Sequence, residues 1–182
     1  MSVRLTLLRL HLPALVRRAA LRELIAAIAR GFERPCPAMR GLSGDELLAC
    51  AIDVSHRWSE DALGGIADRT EVEGRLFSEA LALGRRAKRR LRIRTEEEGL
   101  AAAGVLYEAI GIELRAVRAG AIVVPRCAFA RTYGPGVCEL MSAMDSGLIA
   151  GLTGAAGLRF IERLTEGAPA CRALVLHAGR VP

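Results

Sequence analysis

The sequence predicts an α+β fold, in which a helical N-terminal half packs on a helix-hairpin-helix-hairpin unit with an antiparallel sheet. Two observations indicate this class. Apolar residues recur at helical spacing over residues 1–94, and from residue 95 onward helical stretches alternate with pairs of short β-type runs. We predict two regions, 1–94 and 95–182, that form one cooperative body, because 182 residues can bury a core without disulfides.

The apolar, arginine-rich N-terminus predicts the first helix. Leu21, Leu24, Ile25 and Ile28 form a stripe of 3.6-residue periodicity, which is typical of an amphipathic helix on a core. Arginines interrupt every apolar run before the ~20 residues that a membrane span requires, so we expect no transmembrane helix. The scarcity of acidic residues also resembles a mitochondrial presequence, but the stripe favours a core helix.

Three further helix starts are predicted from capping pairs, in which a Ser or Thr and a Glu three residues later satisfy free backbone N–H groups. The pairs are Ser43–Glu46, Thr70–Glu73 and Thr95–Glu98. Hairpin turns are predicted at Ala119-Gly120 and Glu166-Gly167, and Pro135 suits the first turn of the helix between the hairpins. The glycines at 147, 151 and 154 give that helix a flat side, which we expect to approach the sheet closely.

Composition restricts the function classes. The net charge of +6 comes mostly from arginine and favours small anionic ligands. The basic run 84–94 has no aromatic residue to stack on bases, which argues against nucleic acid and favours a solvated helix end. Five cysteines without a signal peptide predict the reducing cytoplasm. Motifs of nucleotide, zinc-protease and serine-hydrolase chemistry are absent, and the chain is compatible with a homodimer.

Three cysteines and one aspartate form the candidate site. Cys127 is predicted at the end of a strand, Cys138 in the first turn of the following helix and Cys171 near the start of the last strand, so all three can meet at one end of the sheet. Asp145 lies on the same helical stripe as Cys138, ~10 Å further along. The helix N-terminus favours a thiolate, which makes Cys138 the best candidate nucleophile.

Two other interpretations of the cysteines stay open. The three thiols can hold zinc, although their spacing is no CxxC pair and no fourth ligand is identified, since His177 is ~20 Å along the strand from Cys171. They can also be small buried hydrophobic residues. The cofactor is therefore none or zinc.

Five other ionisable side chains have local patterns that allow a functional or a structural role. His56 with Asp53 one turn before it is either a carboxylate-oriented base or a surface contact. Glu162 either lines a pocket or lies at the sheet margin. We expect Cys36 and Cys50 to be structural.

A cysteine at a strand end, Cys138 at a helix start, Asp145 within the GLIAGL helix and the segment GAPAC at 167–171 together resemble the L-2-amino-thiazoline-4-carboxylic acid hydrolase family. They are also similar to small-molecule-binding domains of the 4-vinyl reductase type. The likeness covers about residues 95–180. In the second comparison, Pro169-Ala170 stands where such domains often have an acidic residue, and Cys127 has no neighbouring cysteine.

The first resemblance implies a hydrolase, with a biosynthetic role, that opens a cyclic amidine by adding water at the carbon between ring sulfur and nitrogen. It implies that Cys138 or Cys127 attacks or binds metal, with Cys171 beside them, while Asp145 orients or relays a proton. The substrate carboxylate and ring would contact a set of nearby polar residues, Arg126, Arg131, Arg172 and Tyr133. The second resemblance implies a sensory or accessory domain that binds a small molecule or metal without turnover.

Overall fold

A computed structural model describes residues 13–66, 68–117, 120–177 and 179. Its helices are α1 (Ala14–Gly31), α2 (Gly44–Asp61), α3 (Arg69–Leu91), α4 (Glu96–Ala109) and α5 (Pro135–Thr153). Its strands are β1 (Ile112–Val117), β2 (Ala121–Cys127), β3 (Gly157–Glu162) and β4 (Cys171–Leu176). The predicted α+β class, with a helical N-terminal part and an antiparallel sheet, is confirmed.

Side-chain caps start α2 and α4 where the sequence predicts them. The Ser43 hydroxyl accepts a hydrogen bond from the Glu46 amide, and the Glu46 carboxylate accepts one from the Ser43 amide, which forms the reciprocal capping box. Thr95 accepts from the Glu98 amide at 3.2 Å, while the Glu98 carboxylate accepts from the amide of Arg94. Each contact satisfies a backbone donor that the first turn leaves free.

The predicted cap of α3 at Thr70 and Glu73 is wrong. Asp68 is the N-cap, and one of its carboxylate oxygens accepts from the amides of Thr70 and Glu71 at 2.8 and 3.4 Å. Glu73 pairs with Arg69 on the helix surface instead. Aspartate is as good a cap as threonine and lies two residues earlier, so the helix begins there.

The predicted core stripe of α1 is confirmed. Leu21 and Ile25 are fully buried, Ile28 is nearly so, and Leu24 is half-buried at the edge of the stripe. The first twelve residues of the apolar N-terminus lie outside the described part of the chain. No helix among the residues that the structure describes is long and apolar enough to cross a membrane.

Glycines bring α5 into close contact with α3, and not with the sheet as the sequence suggested. A Cβ atom added to Gly151 would lie 2.5 Å from the Leu81 carbonyl oxygen of α3, and Gly147 faces α3 in the same way. From the other side, Gly84 approaches a backbone carbonyl of α5 equally closely. Gly154 ends α5 in the left-handed region at φ +94°. The flat side is therefore a helix–helix interface that joins the two halves of the chain.

The sheet has the strand order β1-β2-β4-β3, and all neighbouring strands are antiparallel. Both predicted hairpins form, although residues 118 and 119 of the first turn lie outside the described residues. In the register, Cys171 lies opposite Val124 and Cys127 lies opposite Ile112. The end of β2 and the start of β4 therefore meet at one end of the sheet.

Helices α4 and α5 cover one face of the sheet, and α5 packs against α3 on its other side. Buried residues of both predicted regions belong to one apolar cluster, in which Leu76 of α3 and Ile149 of α5 are completely enclosed. The division at residue 94 falls in the short connection between α3 and α4. That the two regions unfold as one cooperative body stays a prediction.

Candidate functional site

The three predicted cysteines and Asp145 line one partly enclosed chamber between the sheet and helices α4 and α5. Its volume is about 60 Å³. Cys127 enters from the end of β2, Cys138 and Asp145 from α5, and Cys171 from the start of β4. The remaining wall is mostly apolar. The expected meeting of these side chains is therefore found, while their chemical roles stay predictions.

A buried tyrosine, Tyr107, anchors the carboxylate of Asp145. Its hydroxyl donates to one Asp145 oxygen at 2.6 Å. Burial raises the pKa of Asp145 from 3.8 to about 6, while the Tyr107 hydrogen bond and the nearby Arg163 guanidinium oppose the rise. Burial, followed by the Asp145 charge, raises the pKa of Tyr107 well above its ordinary value, so this phenol stays a donor. The pair forms a carboxylate poised near neutral pH on the wall of a chamber.

The thiols differ from the expected activated nucleophile. Burial raises the pKa of Cys138 above 9.0, although the Thr165 hydroxyl and the Arg163 guanidinium oppose the rise. Burial also raises the pKa of Cys127 to about 12 and that of Cys171 above its ordinary value. The Cys138 amide already donates to the Gly134 carbonyl within the helix. Desolvation is therefore the dominant influence on the pKa of Cys138, and the prediction of a stabilised thiolate is wrong.

The predicted zinc set is not arranged as a metal centre. In the part of the chain that the structure describes, no three His, Cys, Asp or Glu side chains are grouped closely enough to hold a metal ion. The chamber thiols project from three different elements around a cavity and contact its wall. One of them, the Cys171 sulfur, accepts a hydrogen bond from the Leu164 amide at 3.3 Å.

An open cleft of about 1200 Å³ adjoins the chamber. Ile112, Leu114 and Cys127 line both spaces, so these three side chains form the wall between them. The predicted substrate-binding residues Arg126 and Arg131 lie on the cleft. Arg126 is held by the carboxylate of Glu113 at 2.7 Å, and Glu113 is also bound by Arg115.

The structure does not support a binding role for the other two predicted substrate contacts. Arg172 lies outside both spaces and pairs with Glu162 at 3.3 Å on the sheet surface. Glu162 therefore belongs to the sheet margin and not to a pocket. Tyr133 is buried, its hydroxyl is 2.5 Å from that of Ser55, and its ring packs edge-to-face against Phe129. Burial raises the pKa of Tyr133, which acts as a structural link between α2 and the segment after β2.

His56 and His177 contact other residues than the sequence suggested. Asp53 binds Arg57 at 2.7 Å and does not orient His56, whose Nε2 lies 4.0 Å from a Glu60 carboxylate oxygen and whose ring stacks on Tyr133. His177 is paired with Glu96 at 2.8 Å. Neither histidine lines the chamber or the cleft. The interpretation of His56 as a base oriented by Asp53 is therefore wrong.

The remaining two cysteines lie away from the chamber. Cys36 is exposed and Cys50 is half-buried. Burial raises the pKa of Cys50. Their expected structural role stays a prediction.

Sequence reasoning missed Tyr107, Ser142 and Arg163. Tyr107 is the one aromatic side chain in the small-residue helix EEEGLAAAGVLYEA, and that contrast was a usable signal. Arg163 donates to the Ser142 hydroxyl at 2.6 Å and lies 4.4 Å above the Phe160 ring, with only 13% of its side chain exposed. No local pattern marked it, because its contacts come from α5 and β3.

No protein-family model, no curated protein and no solved structure matches this chain. The two resemblances drawn from the residues therefore stay hypotheses, and the chemistry has to be argued from the chamber and the cleft.

Proposed function

We propose that the protein is a hydrolase-like enzyme that opens a small carboxylate-bearing heterocycle, of the cyclic amidine or thiazoline type. The observation that carries this proposal is the Tyr107–Asp145 pair, a carboxylate with a pKa of about 6 that faces a chamber adjoining an arginine-lined cleft. A general base is most effective when its pKa lies near the working pH.

The sizes of the two spaces fit a ligand that spans them. Ligand pockets commonly measure roughly 300–1,000 Å³, so a chamber of about 60 Å³ can admit only part of a heterocycle. The larger cleft would hold the remainder, with the charged groups near solvent and the ring carbon directed past Cys127. Polarizable sulfur atoms suit contact with a sulfur-containing ring.

In the proposed step, the Asp145 carboxylate takes a proton from water, and the oxygen forms a bond to the carbon between ring sulfur and nitrogen. The ring nitrogen receives that proton from Asp145. The tetrahedral adduct then loses its hydroxyl proton to the ring nitrogen, and the carbon–oxygen double bond forms. The bond between that carbon and the ring nitrogen breaks, which opens the ring. Tyr107 keeps the carboxylate oriented. A neutral thiol at Cys138 takes no part in this step as a nucleophile, which agrees with its raised pKa.

The test is hydrolysis of an amino-thiazoline carboxylate by purified protein. We expect turnover that rises with pH through a single ionisation near the Asp145 pKa and that is lost in Asp145→Asn. Tyr107→Phe should lower the rate and shift the pH profile, because the carboxylate loses its hydrogen bond. Cys36→Ser, at an exposed position away from the chamber, is the control. Full turnover in Asp145→Asn would exclude the proposed base.

A second candidate is a non-enzymatic domain that binds a small molecule and acts as a sensory or accessory protein. The observation that favours it is the combination of a partly enclosed, mostly apolar chamber with three thiols whose pKa values are all raised, since such thiols are chemically inert. A ligand that raises the melting temperature of wild type and Asp145→Asn alike, with no turnover by either, would favour this candidate.

A further inference from the structure

Strand β1 lies at one edge of the sheet, and its outer side is unpaired within the described chain. Of the strands that the structure describes, only β2 pairs with it. Across residues 13–66, 68–117, 120–177 and 179, the β1 backbone has no hydrogen-bond partner outside the ladder with β2. Alternate N–H and C=O groups of an edge strand point away from its neighbour, so β1 can pair with a further strand.

The open cleft borders this edge and keeps it accessible. Its wall includes residues 111–114, and α4 contributes Gly104 to it. The Leu114 carbonyl oxygen lies 3.6 Å from the point where a Cβ atom of Gly104 would be, so the glycine leaves the space beside that carbonyl open. The bulge in the ladder has its extra residue on β2, since Val124 and Pro125 both lie between the residues that pair with β1 there. β1 itself therefore keeps a regular extended backbone.

The charges of β1 are complementary to those of a second copy. Glu113 and Arg115 lie two residues apart on one face of the sheet and bind each other. In an antiparallel pair of β1 strands centred on Leu114, Glu113 lies opposite the partner's Arg115 and Ile112 lies opposite the partner's Ala116. A shift by two residues places Glu113 opposite Glu113 or Arg115 opposite Arg115, which is unfavourable. A shift by one residue opposes the two different faces of the sheet.

We infer that β1 is the interface of a homodimer, in which two β1 strands pair antiparallel about Leu114 and join the two sheets into one of eight strands. Backbone hydrogen bonds along the edge hold the copies together, and two symmetric contacts between Glu113 and Arg115 set the register. The cleft of about 1200 Å³ exceeds the roughly 300–1,000 Å³ of common ligand pockets, so a strand along one side leaves room for a small ligand. The dimer stands independently of the proposed hydrolysis, because the strand edge forms it and not the chamber.

Charge reversal followed by mixing tests this interface. Sedimentation equilibrium of wild type at concentrations up to about 100 μM should show a dimer of twice the chain mass of 19.5 kDa. Glu113→Arg and Arg115→Glu should each raise the dissociation constant of the dimer at least about tenfold, because both symmetric contacts become like-charged. An equimolar mixture of the two variants should recover the dimer, since every positive side chain then faces a negative one. A variant that had lost its fold would not recover.

Two further variants are controls. Arg159→Glu reverses an exposed charge on β3, at the opposite edge of the sheet, and should leave the dissociation constant unchanged. Arg115→Gln, at a side chain that is 66% exposed, removes the contacts without repulsion and should weaken the dimer less than Arg115→Glu. A monomeric wild type, a dimer that either reversal leaves intact, or a mixture that stays monomeric would overturn the inference. The first of these results would leave the edge to residues 1–12 or to a different protein.

Discussion

Replacing Asp145 by asparagine should stabilise the protein above neutral pH. Asparagine has nearly the same shape, and its side-chain oxygen can still accept the hydrogen bond from Tyr107. The variant removes only the cost of keeping a carboxylate ionised among apolar walls. A residue that stabilises the fold when it is neutralised, and is needed for turnover when it is charged, is typical of a functional site.

The magnitude follows from the pKa. Burial raises the pKa of Asp145 from 3.8 in its ordinary environment to about 6 in the folded chain. A difference of about two units corresponds to about 3 kcal/mol, and water in the chamber makes this an upper value. Because the folded-state pKa is the higher one, Asp145 is neutral in both states below 3.8, and the wild-type fold is then at its most stable with respect to this group. That stability is lost as the pH rises through about 6, where the buried carboxylate ionises.

The assay is urea denaturation of wild type and Asp145→Asn at several values between about pH 4 and about pH 8, with the difference in unfolding free energy as the readout. This difference removes the contributions of other carboxylates. It should move in favour of the variant by up to about 3 kcal/mol across that range and should level off above pH 7. Glu97→Gln controls for net charge. A difference that is independent of pH, or a wild type that is the more stable protein at pH 8, would refute the reasoning.

Three further predictions concern the fold and the thiols. Gly151→Ala should lower the unfolding free energy by about 1–3 kcal/mol, because its Cβ would lie 2.5 Å from a carbonyl oxygen of α3. Gly74→Ala, with open space around it, should raise the unfolding free energy by up to about 1 kcal/mol. Thermal melts of the two variants compare these effects. Asp68→Ala should cost about 1 kcal/mol and Thr70→Ala less than about half of that, and equal losses would restore the cap first predicted. Iodoacetamide should label Cys36 in the native protein and the three chamber thiols only on unfolding, and peptide mass mapping would detect early labelling of a chamber thiol.

Local patterns were sufficient for much of the secondary structure. The Ser43–Glu46 box depends on residues three apart, and such a pair forms its contacts before any distant segment is present. The Leu21–Ile28 stripe and the two hairpins are likewise short-range signals. The cap at Asp68 was missed because two candidate cap residues, Asp68 and Thr70, lie within three residues, and the first of them is used.

For the candidate site, the sequence predicted where the thiols lie but not how they ionise. Chain order and strand ends were enough to place Cys127, Cys138 and Cys171 at one end of the sheet. The pKa values of these thiols could not be predicted from the sequence, because they depend on how completely α4 and α5 cover the chamber. The helix dipole suggested an acidic thiol, and burial produces the opposite.

The sequence by itself determined the α+β class, the hairpins and the convergence of sulfur atoms with Asp145, because each follows from periodicity, turn residues and antiparallel topology. Only the tertiary structure decided that Tyr107 binds Asp145, that the α5 glycines face α3, and that Arg172 lies outside the site. These contacts join residues far apart in the chain, and burial sets the electrostatics of those within the core. Both depend on how the elements pack, which no local pattern in the chain encodes.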